Sequence, residues 1–110
     1  KAQFPVIIFS HGLMGNSRTY TYQAMELASH GYVVVSLDHG DGSSSFTIKE
    51  PQNAEQVNLV PYDFDIFKHY DPTRKENVDY VRARRAQMEI RVKEILSAMD
   101  AILHLNKQDE

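Results

Sequence analysis

The sequence has 110 residues, 42% hydrophobic and 25% charged, which fits one globular domain rather than a disordered or fibrous chain. A net charge of −3 leaves no basic field for nucleic acid, and no apolar run approaches the ~20 residues that a membrane span needs. Without cysteine there is neither a disulfide nor a thiolate metal site, and the compartment stays open.

Phe4-Pro5 leads into Val6 to Phe9, an apolar run without polar alternation. That is the pattern of a strand buried on both faces of a parallel sheet. It stops at Ser10-His11-Gly12, where Gly12 and Gly15 bracket a tight turn. Asn16 or Ser17 is placed to cap a helix whose apolar face carries Tyr20, Ala24, Leu27 and Ala28. The helix is expected to end at His30-Gly31, with glycine at the left-handed cap position and histidine in the last turn. Tyr32 to Leu37 is a second unalternating run, so strand, helix and strand make a parallel βαβ unit.

Asp38 to Ser45 has the Asp, His, Gly and Ser composition of a loop at the carboxyl edge of such a sheet. Residues 46 to 74 carry no clean period; Pro51, Pro61 and Pro72 punctuate them, and Tyr62, Phe64, Phe67 and Tyr70 give them aromatic weight. They read as an irregular excursion over the active face. A long helix is predicted from Lys75 to Leu105, with Met88, Val92, Ile95, Met99 and Ile102 as its apolar stripe. Leu96 and Leu103 widen that stripe, Glu89, Lys93, Glu94 and Asp100 oppose it, and Asn106 to Glu110 form a polar tail.

The turn His11-Gly12-Leu13-Met14-Gly15 admits three readings. Its glycines can serve geometry alone. It can bind a dinucleotide, with Asp38 as the ribose-binding acid, but that fingerprint asks for G-x-G-x-x-G and the turn offers only Gly12 and Gly15. Or it can present a backbone N–H to a developing oxyanion, as the first strand-to-helix loop of an α/β-hydrolase does. The third fits without forcing.

Phe9-Ser10-His11-Gly12-Leu13, Arg18-Thr19, Leu27-Ala28-Ser29-His30-Gly31-Tyr32-Val33-Val34, then His39, Asp41 and Ser43, resemble the platelet-activating-factor acetylhydrolase family. Arg84, Gln87, Arg91, Lys93 and Glu94 on the long helix keep that family's spacing, whereas residues 46 to 80 match loosely. Met14 stands where the family usually has glycine, and Gly40 and Gly42 stand where arginines are frequent. The resemblance implies a calcium-independent serine esterase that releases short or oxidised sn-2 acyl chains from phospholipids, without a cofactor. It implies that Leu13 donates its N–H to the oxyanion, with His11, Gly12 and Met14 lining the substrate side.

The expectation is therefore an α/β fold, with residues 1–110 forming the N-terminal part of one α/β-hydrolase domain. No G-x-S-x-G occurs, so the nucleophile, acid and base are expected beyond this chain, and the 110 residues alone should be inactive and unstable. Membrane-surface contact is likewise assigned to parts outside it. Ser17 in Gly15-Asn16-Ser17-Arg18-Thr19 lacks the second glycine of an elbow and reads as a cap. His11 shapes the turn and stands at the pocket mouth, His30 meets the end of its helix, and His39 has a structural hydrogen-bonding role. His69 and His104 have no partner signal. A metal at His39 with Asp38 or Asp41 is not expected, because those residues are too close in sequence for ligand spacing. Arg82, Arg84 and Arg85 read as a solvated helix face, with headgroup contact the sharper alternative. The rival functions are a nucleotide-binding module and a non-catalytic hydrolase relative.

Overall fold

The computed structural model of the chain describes residues 3–49 and 57–108. Strands β1 (Val6–Ser10) and β2 (Val33–Leu37) pair in parallel, Val6 opposite Val33 through to Ser10 opposite Leu37, with helix α1 (Thr21–Ser29) between them. Two four-residue strands, β3 (Phe46–Lys49) and β4 (Asn58–Pro61), form a separate antiparallel ribbon. A 3-10 helix (Phe64–His69) then leads to α2 (Val78–Gln108), a helix of 31 residues.

The βαβ unit forms where the hydrophobic runs place it, and α1 stops where expected. Gly31 adopts φ +89°, and His30 Nδ1 donates to the Glu26 carbonyl at 2.8 Å, closing the last turn of α1. The start of α1 differs from expectation. Neither Asn16 nor Ser17 caps it: the Asn16 carboxamide oxygen accepts from Arg18 and Thr19 N–H at 2.9 and 3.1 Å, making an Asx-type turn that delays the helix to Thr21. Ser17 instead donates its hydroxyl to Asp38 at 2.9 Å.

The strands are less buried than their composition suggests. Val6 and Val33 are exposed, and Ile7 to Phe9 and Val34 to Leu37 are half-buried. The reason is that a two-stranded sheet has two outer edges, and α1 and α2 cover its faces only in part. Residues 46 to 74 are also more regular than expected, since β3, β4 and the 3-10 helix all lie within them; Pro51 is outside the described residues. Pro61 ends β4, where its missing N–H costs the ribbon least. Tyr62 and Ile66 are buried, and Phe67, Tyr70 and Tyr80 join Tyr62 in an aromatic cluster against α2.

Helix α2 begins later than predicted, because Asn77 accepts the first ladder bond, from Val81 N–H at 2.9 Å. It also runs through Asn106 and Lys107, where the sequence predicts a polar tail; Asp109 and Glu110 lie outside the described residues. Its docking face is the larger correction. Of the expected stripe Ile95 and Ile102 are half-buried, but Met88, Val92 and Met99 are exposed, as are Leu96 and Leu103, while Gln87 and Arg91 are buried and Arg84 and Glu94 are half-buried. Residues 84, 87, 91 and 94 recur at steps of three, four and three, so they share one side of the helix, and that polar side faces the sheet's carboxyl edge.

Candidate functional site

The turn after β1 and the loop after β2 are zipped together by main-chain bonds. Met14 N–H donates to the Ser43 carbonyl at 2.8 Å, and Ser45 N–H donates to the Gly15 carbonyl at 2.9 Å. Within the turn, Gly15 N–H donates to the Gly12 carbonyl at 3.0 Å, closing a β-turn whose third residue, Met14, sits at φ +60°. Met14 is the one described non-glycine residue with positive φ, so the turn has the type II pattern. Gly12 N–H reaches the Tyr20 hydroxyl at 3.4 Å. Among the described residues, Leu13 N–H makes no hydrogen bond, and Leu13 is 57% exposed.

Beneath the turn the interior is polar. His11, His39, Ser43 and Ser44 are the largest side chains sealed from solvent, and every buried side-chain nitrogen and oxygen among the described residues has a partner. His11 Nδ1 lies 2.8 Å from the Gly12 carbonyl, which can only accept, so Nδ1 carries the proton. Nε2 then accepts from His39 N–H at 3.2 Å and faces the Ser44 hydroxyl at 2.7 Å. Burial, reinforced by the nearby Arg91 and His39 charges and opposed by the Gly12 hydrogen bond, pulls the His11 pKa below its ordinary 6.5.

Helix α2 grips this cluster through Arg91. Its guanidinium donates to the His11 carbonyl at 2.7 Å, to Asp41 Oδ2 at 3.0 Å and to the Ser43 hydroxyl, joining strand, turn and loop. Gln87 adds a bond to the Asp41 carbonyl at 3.0 Å. Asp41 is pulled below the usual carboxylate range: burial pushes the other way, but hydrogen bonds from Ser43 and Arg91 prevail.

A second chain of bonds runs from α2 to β1. Glu94 Oε2 accepts from His39 Nδ1 at 2.6 Å, and His39 Nε2 meets the Ser10 hydroxyl at 2.7 Å. The order hydroxyl, imidazole, carboxylate is that of a nucleophilic triad. The His39 ring, however, is 0% exposed, and a base that must hand its proton to a departing group needs an open edge. Ser10 also lies on a regular strand, not on an elbow. The chain of bonds is structural.

The family model for platelet-activating factor acetylhydrolase, isoform II, matches residues 1–110. The chain belongs to the platelet-activating factor acetylhydrolase family. It is 30% identical over 105 residues to a platelet-activating factor acetylhydrolase of Canis lupus familiaris and 32% identical over 105 residues to that of Bos taurus, in each case across 94% of this chain and 22% of the relative. A Gallus gallus relative of the same name is 26% identical over 115 residues, 98% of this chain. The chain thus spans about a fifth (22%) of the length of the mammalian relatives. No solved structure matches it.

In this member of the acetylhydrolase family, the residues singled out on the turn divide between surface and interior. Gly12, Leu13 and Met14 are exposed, whereas the His11 ring is inside, with both nitrogens engaged. Asp38 is held by Ser17, and Arg84 donates to the Tyr62 and Tyr80 hydroxyls at 3.0 Å rather than standing free. The contributions of Arg91 and Glu94 as anchors, and of Ser43 and Ser44 as the seats of Arg91 and His11, were not legible as such. The signal for the first two was the polar spacing 84, 87, 91, 94 on one side of α2. No helix among the described residues is long and apolar enough to cross a membrane.

Proposed function

We propose that this chain supplies the oxyanion-hole turn of a serine carboxylester hydrolase acting on phospholipids with short or oxidised sn-2 acyl groups. In this reading residues 1–110 are the N-terminal part of a single α/β-hydrolase domain, and the nucleophile, acid and base lie in sequence outside it. Leu13 N–H is the donor; Gly12 and Met14 flank it on the substrate side, and His11 lies beneath.

One observation carries the reading: Gly12, Met14 and Gly15 N–H are all committed within the protein, while Leu13 N–H, among the described residues, is not. An uncommitted N–H on a rigid turn is a donor held ready for charge that develops later, so it needs no reorganisation during reaction. Membership of the acetylhydrolase family supports the substrate class. The engagement of Asp38 by Ser17 speaks against the dinucleotide alternative, in which that carboxylate would be free for a ribose.

The test compares Leu13→Pro with Leu13→Ala in the full-length protein that contains this chain. Proline deletes the donor, whereas alanine keeps it. Loss of one such donor costs about 2.7–4 kcal/mol, a hundred- to a thousandfold in turnover. Leu13→Pro should lose about that much kcat on a short-acyl ester, and Leu13→Ala far less. Near-normal turnover in a folded Leu13→Pro protein would refute the assignment.

A further inference from the structure

We propose that His11 is a positioning residue that aims the Leu13 N–H, an inference that rests on the oxyanion-hole reading above. A trans peptide is planar, so its C=O and its N–H point in opposite directions. The Gly12 carbonyl and the Leu13 N–H are the two ends of one such peptide, and there is no cis bond among the described residues. The carbonyl end is held twice, by His11 Nδ1 at 2.8 Å and by Gly15 N–H at 3.0 Å. Both bonds lie on the turn's inner side, so the opposite end, the Leu13 N–H, is turned outward.

The hold matters because glycine does little to fix this peptide. Gly12 has no Cβ, and rotation about its own bonds meets few steric barriers. The ring that restrains it is itself locked. His11 is 1% exposed, and its Nε2 accepts from His39 N–H, which forces the proton onto Nδ1, the atom facing the carbonyl. The opposite tautomer would set two N–H groups against each other at Nε2 and leave Nδ1 a lone pair against the Gly12 oxygen. The tautomer, the peptide orientation and the direction of Leu13 N–H are one linked arrangement.

The experiment uses the full-length protein and three variants side by side. His11→Phe keeps a ring in the cavity and removes the Nδ1 donor; His11→Asn restores a donor close to the ring's Nδ1 position; Leu13→Pro serves as reference. A misplacement of about 1 Å in catalytic geometry costs on the order of a hundredfold in rate. His11→Phe should therefore lose on that order in kcat on a short-acyl ester with KM little changed. It should lose affinity for a trifluoromethyl ketone, which forms an oxyanion in the site, in the same proportion, and His11→Asn should recover part of both. If Leu13→Pro is impaired but folded His11→Phe turns over normally, or if the Phe and Asn variants are equally impaired, His11 does not position the donor and the oxyanion reading survives. If Leu13→Pro itself turns over normally, both fall. Should His11→Phe fail to fold, the nitrogen chemical shifts of His11 in the unaltered protein decide: a neutral ring protonated at Nδ1 upholds the inference, and one protonated at Nε2 overturns it.

Discussion

Arg91 Nε and Asp41 Oδ2 meet at 3.0 Å with 9% and 0% of their side chains exposed. Removing one partner of such a buried pair leaves the other charge in a medium that cannot solvate it, a loss of about 3–5 kcal/mol. Arg91→Met in the intact protein should cost about that much stability. Arg91→Lys keeps the charge but not the fork that reaches His11, Asp41 and Ser43 together, so it should fall between. Urea unfolding midpoints at an unchanged m-value measure both. If Arg91→Met costs less than about 1 kcal/mol, the pair is not the anchor described here.

Stability should fall in two separate acid ranges. His11 has a folded pKa below its ordinary 6.5, so the unfolded chain takes up that proton first. Its contribution is complete above pH 6.5 and is lost as pH falls from there through the folded value. Asp41 has a folded pKa below its ordinary 3.8, so its contribution is complete above that value and is lost further down. Denaturation midpoints taken across pH should show both steps. In Arg91→Met the lower one should shrink, since Arg91 helps to hold Asp41 ionised. A lower step of unchanged size would mean that Ser43 alone sets it.

Gly31 and Gly42 both have positive φ, +89° and +80°, yet they differ in surroundings. A Cβ at Gly31 meets nothing within 4 Å, whereas one at Gly42 would lie 3.0 Å from Asp63 Cβ. Gly31→Ala should therefore cost only the backbone strain, about 1–2 kcal/mol. Gly42→Ala should cost visibly more, because the segment entering the 3-10 helix must also move. Thermal melts of the two variants, side by side, test the order; equal losses would show that Asp63 yields freely.

Met14 pays steric strain at φ +60° where a type II turn favours glycine. Met14→Gly should stabilise the protein by about 0.5–1 kcal/mol, the relieved strain exceeding the extra freedom of glycine in the unfolded chain. Met14→Val, with a branched Cβ, should do the reverse. Melting temperatures moving in opposite directions would bear this out, and a shift of the same sign in both would not.

The βαβ unit was legible because its signals are local: two unbroken apolar runs, and a glycine that ends a helix only by going left-handed. The docking of α2 was not. Its sequence carries an apolar stripe through Met88, Val92 and Met99 and a polar one through Gln87, Arg91 and Glu94, and periodicity reports which residues share a face without saying which face docks. The usual preference for the apolar side fails here because the surface awaiting α2 is itself polar. Asp41, Ser43 and Ser44 were hidden for a related reason: Asp, Ser and Gly are also what a solvated loop is made of. The turn itself was legible through Gly12 and Gly15, but the burial of the His11 ring was not, since a histidine beside a glycine reads equally well as a residue at a pocket mouth. The ribbon of β3 and β4 leaves no signal in the sequence because four-residue strands are too short to display alternation.

The bond from Arg91 to the His11 carbonyl spans 80 positions of sequence, and this sets an order of events during synthesis. A nascent chain emits β1, the turn, α1 and β2 early, and these can associate while still tethered. At about 5–20 residues per second, the turn then waits roughly 4–16 s before Arg91 has been made at all. Until then the polar groups around His11 lack the cation and the carboxylate that complete their pairing, and water must serve in their place. The geometry of the turn can thus mature only after α2 has been translated and has closed over it. A partly made chain cannot present the finished turn.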